Sequence, residues 1–154
     1  MAETFEITGA GELQALAGRL KRVPVAARAQ TAARMGAVGE LMKTAVQANA
    51  LAIPASGETA TGLRQALAAA TKVRTTVTPA AVSVHVAVDP TAMPQGQEKL
   101  PALMEGPGWT HQVFGNPWTA FQRGHPYFRR GVDPLLPLMR DAEIRAVDEA
   151  TRTI

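Results

Sequence analysis

A chain of 154 residues with a net charge of +3, 46% hydrophobic residues and no cysteine is expected to form one domain burying roughly 68–70% of its unfolded surface. The missing cysteines exclude a disulfide framework, a thiolate nucleophile and a thiolate-bound zinc. No apolar run nears the ~20 residues of a membrane-spanning helix, and +3 is modest for a dedicated nucleic-acid binder.

The acidic start Met1-Ala2-Glu3-Thr4-Phe5-Glu6 lacks the charged-then-apolar pattern of an export signal. A non-exported protein made in a reducing cytoplasm is the expectation. Large side chains are few, with two Trp, one Tyr, four Phe and six Met. Much of the apolar content is alanine, which fills little volume. The core should therefore be thin and completed by packing against other subunits.

The first third reads as helix. Thr8 can cap a start, Glu12 complements the helix dipole, and Leu13, Leu16, Leu20 and Val23 share a face. Pro24 ends or kinks that helix. A longer one is predicted over 25–49, with Ala32, Met35, Val38, Met42, Ala45 and Val46 on its apolar side. Gly36 and Gly39 within it are either a tolerated defect or the place where another backbone comes close. Arg19, Lys21, Arg22, Arg28 and Arg34 fall at helical spacing and read as a solvated face. Pro54, Ser56, Gly57 and Thr61 mark a loop over 53–62, and a short helix is predicted over 63–71.

The period then changes to two. Val73, Thr75 and Val77, and then Val82, Val84, Val86 and Val88, alternate with other residues. Thr78-Pro79-Ala80-Ala81 supplies the turn of an antiparallel hairpin. Residues 89–101, rich in Pro, Gln and Gly, are predicted to be an exposed, mobile loop that orders against a neighbour. A short helix and a strand should follow within 103–114. After the turn at Gly115-Asn116-Pro117, a second extended piece over 118–122 completes a small sheet. A last helix over 133–150 tolerates Pro134 in its first turn and carries Leu136, Met139, Ile144 and Val147 on one side. The expected class is α+β: helical residues 9–52, a β-rich middle over 72–130 and a C-terminal helix over 133–150, in one domain spanning 1–154.

Catalytic chemistry finds little support. His85 lies on the polar side of a strand. His111 and His125 share one loop region, without carboxylates at metal-ligand spacing. Ser56 and Ser83 are the only serines, and neither sits in a nucleophile turn. Thr61-Gly62 lacks the lysine and second glycine of a phosphate loop. The reading is therefore no enzyme, no cofactor and no metal. The aromatic residues Trp109, Phe114, Trp118, Phe121, Tyr127 and Phe128 crowd one stretch. They form a core cluster, a protein contact, or both. A third option is a stacking platform for single-stranded nucleic acid beside Arg123, Arg129 and Arg130.

Certain groups follow one another in order: Pro54, Thr61-Gly62-Leu63-Arg64, Glu105-Gly106 and His125-Pro126-Tyr127-Phe128. In this succession the chain resembles the tail-completion or neck proteins of long-tailed double-stranded DNA bacteriophages. The stretch His111-Gln112-Val113-Phe114-Gly115-Asn116 is similar to a His-Pro-Val-Phe-Gly-Asn element of that family, with Gln112 in place of the usual proline. The resemblance runs from about residue 13 to 150 and rests on the order of the motifs, since no single one is specific. It implies a structural virion protein made in the bacterial cytoplasm and placed at the head–tail junction. It also implies a ring, expected as a hexamer, around the DNA channel. Other neck and tail proteins would be its partners, with non-specific contact to genomic DNA and none to membrane. The matched residues Pro54, Thr61, Gly62, Leu63, Arg64, Glu105, Gly106, Trp109, His111, Phe114, Gly115, Trp118, Pro126, Tyr127 and Phe128 would then have interface or structural roles. Arg64 is expected to make an ion pair within or between subunits, in a segment that caps a helix start. A small nucleic-acid-binding protein using residues 109–130 is the alternative.

Overall fold

The computed structural model describes residues 25–54, 62–79, 81–112 and 117–152. The helix predicted over 9–23, and the matched residues Thr61, Phe114 and Gly115, lie outside them. The architecture is α+β. In chain order come α1 (Val25–Leu51), α2 (Leu63–Ala70), β1 (Thr71–Val77), β2 (Val82–Val88), a 3-10 turn (Pro90–Ala92), α3 (Leu100–Glu105), β3 (Gly108–Gln112), β4 (Thr119–Arg123), α4 (Phe128–Val132), a second 3-10 turn (Asp133–Leu135) and α5 (Leu136–Arg152). The strands make two separate two-stranded sheets, β1-β2 and β3-β4, where one small sheet was expected for the later pair to complete. The described residues cluster in two compact units. One takes Thr44–Lys72 and Val88–Asp133, and the other Val73–Ala87 with the described parts of Thr4–Lys43 and Pro134–Ile154.

In the second of these units, α1 buries Thr31, Met35, Val38 and Met42. Their spacing of four, three and four keeps them on one helical face. The first hairpin lies against the small residues of that helix. A Cβ added to Gly39 would stand 2.5 Å from Val84 Cγ1, and one added to Gly36 would stand 3.3 Å from Thr75 Oγ1. The space at these glycines is filled by strand side chains, Thr75 at Gly36 and Val73 and Val84 at Gly39, and not by another backbone. Arg28 Nη1 ties the hairpin turn to the helix by donating to Pro79 O at 2.9 Å. On α5, Met139, Ala146 and Val147 are buried. Ile144, expected on the apolar side, is 47% exposed, because the buried stripe runs through 139 and 146–147, with 143 on the same face. Glu143 therefore sits half-buried in line with it, and burial raises its carboxyl above the ordinary range, against the opposing pull of Arg140.

In the other unit the core gathers Val46 and Ala50 of α1, Ile53, Leu67 and Ala70 of α2, Met93, Met104, Tyr127, Phe128 and Val132. Gln47 Nε2 donates to Ala68 O at 2.9 Å, and Thr71 Oγ1 donates to Leu67 O at 2.9 Å. These two bonds fasten the end of α2 from its flank and from its own last turn. Residues 89–101, expected to be an exposed mobile loop, are pinned at several points. Asp89 Oδ1 accepts from Thr91 N at 3.0 Å and from Thr91 Oγ1 at 2.7 Å. Met93 is 6% exposed, and Glu98 Oε1 accepts from Gly96 N at 2.9 Å. The bonds from Thr91 hold the Asp89 carboxyl below its usual range. More than half of the stretch is exposed, as expected, while Met93 and Pro101 are buried and two local carboxylate turns hold its backbone. Near the C-terminus, Pro134 falls in a 3-10 turn, and Pro137 is the second residue of α5. There its missing N–H leaves no helical bond unmade.

Candidate functional site

Two sequence motifs that lie far apart meet at one carboxylate. Glu105 is the last residue of α3, and its Oε1 accepts from Tyr127 N at 2.8 Å and Phe128 N at 2.6 Å. Its Oε2 lies 3.4 Å from Arg129 N. The first turn of a helix leaves its N–H groups without intrahelical partners. A charged acceptor placed there forms stronger bonds than a neutral one and complements the helix dipole. Tyr127 itself has no side-chain capping bond at that end, so the cap comes from a residue 22 positions earlier.

Backbone closeness supports the same joint. A Cβ at Gly124 would strike the carbonyl oxygen of Gly106 and approach Met104 O to 3.1 Å. One added to Gly106 would make an ordinary 3.5 Å contact with Leu103 O. The crowded position is thus Gly124, which sequence reasoning passed over, and not the motif glycine. Gly131 was also missed: its Cβ would come within 2.6 Å of Val46 N and 2.8 Å of Val46 Cα. That lack of a side chain lets α4 lie directly on α1. The available sign was a lone glycine inside a helical stretch.

Tyr127 and Phe128 pack inward, at 2% and 5% exposure. The Tyr127 hydroxyl is buried with no hydrogen-bond partner among the described residues. Burial, reinforced by the Glu105 charge, pushes this phenol well above its ordinary range. It carries no proton to or from solvent near neutral pH.

Arg64 turns to the end of α1. Its Nη1 lies 3.3 Å from Ile53 O and 3.5 Å from Leu51 O. A guanidinium at a helix C-terminus meets carbonyls that lack intrahelical donors. Among the described residues Arg64 makes this carbonyl contact and no ion pair. Gly62 stands at the start of α2 with φ of 68° and no side-chain capping bond, while the capping role expected around Thr61 lies outside the described residues. Leu63 is half-buried and Pro54 exposed.

The aromatic stretch divides in two. Trp118 is 71% exposed and Phe121 67% exposed, while Trp109 and Pro126 are half-buried. The β3–β4 register sets Thr110 opposite Phe121 and Gly108 opposite Arg123. Directly paired residues share a face, so Phe121 and Arg123 project from the same side of the hairpin. His111 is exposed, with Nδ1 3.3 Å from the carbonyl oxygen of Gln112. His125 is half-buried. Among the described residues no three His, Asp or Glu side chains stand where they could hold a metal ion.

A groove of about 270 Å³ in the other unit is lined in part by Gln30, Thr31, Arg34, Glu149 and Arg152. Two of its three charges are paired, since Arg34 Nη1 donates to Glu149 Oε1 at 2.7 Å, and Arg152 is the third. Thr31 Oγ1 is spent on Ala27 O. Nothing there is arranged as a nucleophile beside a base. No helix among the described residues is long and apolar enough to cross a membrane. No family model, curated protein or solved structure matches this chain.

Proposed function

We propose that this chain is a structural virion protein of the head–tail junction of a long-tailed bacteriophage, acting in tail completion as a ring, of hexameric size, around the DNA channel, and not an enzyme. The observation that carries the docking role is the exposure of Trp118 and Phe121 on a two-stranded hairpin. Two large rings left in water sacrifice burial that a thin core could use, at about 1.5–3 kcal/mol each. Aromatic side chains are enriched where proteins meet. The Glu105 cap lends further support, because it makes one mechanical unit of two motifs on which the family resemblance rests. An α3–α4 joint tied by two charged hydrogen bonds next to an exposed hairpin suits a part that must present a surface to neighbours.

The test is electron microscopy of lysates from a phage lacking the gene, with complementation as control. Filled heads apart from tails, or tails of abnormal length, are expected. Normally joined virions would overturn the reading.

A second reading draws on charge. Residues 106–132 contain three arginines and no acidic residue, so the entire net charge of +3 falls in this stretch and the rest of the chain is balanced. Exposed rings beside arginines suit single-stranded nucleic acid. Such binding would weaken steeply with salt as counterions are released. A fluorescence titration of a single-stranded oligonucleotide at two salt concentrations tests it, and affinity absent at low salt removes it.

A further inference from the structure

Among the described residues the first hairpin has one guarded edge and one open edge. On β1, Lys72 and Arg74 are exposed, the kind of charged residue that discourages a further strand. Strand β2, Val82-Ser83-Val84-His85-Val86-Ala87-Val88, has no proline, lysine, arginine or acid. Among the described residues no strand pairs with its outer side.

The hydrogen bonds of the hairpin show which groups face outward. Thr78 N donates to Ala81 O at the turn, and Asp89 N donates to Ala70 O at the open end. Both bonds fix the same register, with His85 opposite Arg74. In an antiparallel ladder, bonded and non-bonded pairs alternate. Residues 81, 83, 85, 87 and 89 therefore turn their N–H and C=O groups toward β1. Val82, Val84, Val86 and Val88 turn theirs to the open edge.

The strand is also nearly palindromic about His85. Read backwards it is Val, Ala, Val, His, Val, Ser, Val, so valine replaces valine, and Ser83 and Ala87 exchange. An antiparallel copy centred on His85 sets Val84 against Val86 and Val82 against Val88. These are the residues with outward-facing backbone groups. The two His85 side chains meet across the axis as a non-bonded pair, and no lysine, arginine or acid on either strand opposes another.

We propose that the β2 edge is a self-recognition surface, pairing antiparallel with β2 of a second copy about a twofold axis at His85. Such a pair closes after two copies, whereas ring contacts are heterologous and repeat. It therefore stands independently of the head–tail reading. It also covers an edge that would otherwise invite open-ended pairing.

The chain has no cysteine of its own, which makes directed cross-linking clean. In a non-bonded antiparallel pair the Cα atoms lie about 4.5 Å apart, within disulfide range. His85→Cys is thus expected to give a covalent dimer rapidly under mild oxidation at micromolar concentration. Ala87→Cys is equally exposed but lies about 13 Å from its own copy across the axis, four residues along the strand, and should stay uncross-linked. As a second measurement, His85→Lys brings two like charges together and should raise the dimer Kd about fivefold in sedimentation equilibrium. Equal cross-linking of the two cysteine variants, or an unmodified chain that sediments as a 16.3 kDa monomer at micromolar concentration, would overturn the proposal.

Discussion

Glu105 does more for this fold than its place at the end of a six-residue helix suggests. The carboxylate bonds the N–H groups of Tyr127 and Phe128, and replacing it should expose how much α4 depends on that charge. Glu105→Gln keeps the shape but loses the charge, and about 1–2 kcal/mol should be lost from the urea unfolding free energy. An unchanged midpoint would mean that α4 is held by packing alone. Tyr127 tests the opposite situation, a polar group buried without a partner among the described residues. Tyr127→Phe removes a desolvated hydroxyl and leaves the ring, so thermal stability should hold or rise by up to about 1 kcal/mol. A large fall would show that the hydroxyl is bonded after all. At Glu143 the sign comes from pH. Burial raises its folded carboxyl, so the folded state binds the proton more tightly than the unfolded one. Its stabilising contribution is present below the ordinary carboxyl range and lost as pH rises through the raised value. Glu143→Gln should therefore raise the Tm at neutral pH, and the gain should fade on acidification.

Between helices, two general tendencies compete at Gly131. Alanine is preferred to glycine in a helix interior by about 1 kcal/mol. The added methyl group, however, would stand 2.6 Å from the backbone nitrogen of Val46, and backbone cannot yield as a side-chain tip can. Overpacking of this kind costs about 1–3 kcal/mol, so Gly131→Ala should destabilise on balance, as measured by chemical denaturation. A stabilised variant would show that α4 is free to shift. The same contrast separates what was legible in the sequence from what was not. Helix α1 buries Met35, Val38, Met42 and Val46 at the apolar spacing, and the first hairpin repeats at period two, so both could be read locally, although Thr31 is buried where Ala32 was expected. Helix α4 has five residues, no side-chain cap of its own and a capping acid 22 positions away; no local window contains its cause. The burial of Met93 was hidden likewise, because composition cannot display the core that receives it. At the aromatic stretch the sequence left core and contact open. The chain divides them, with Tyr127 and Phe128 inside and Trp118 and Phe121 outside.

For the whole molecule, the proposal is that Trp118 and Phe121 stay in water because their counterpart belongs to another protein of the virion. Surface residues away from caps and cores contribute little to folding, usually within about 0.5 kcal/mol. The double variant Trp118→Ala/Phe121→Ala should thus unfold at the same denaturant concentration as the parent and differ only in assembly. The most direct measurement is complementation of a gene-deficient phage with this variant, with virions counted by electron microscopy. Folded variant protein together with unjoined heads and tails is the result expected. Full restoration of joined, infectious particles would contradict the account, because the exposed rings would then serve no contact at the head–tail junction.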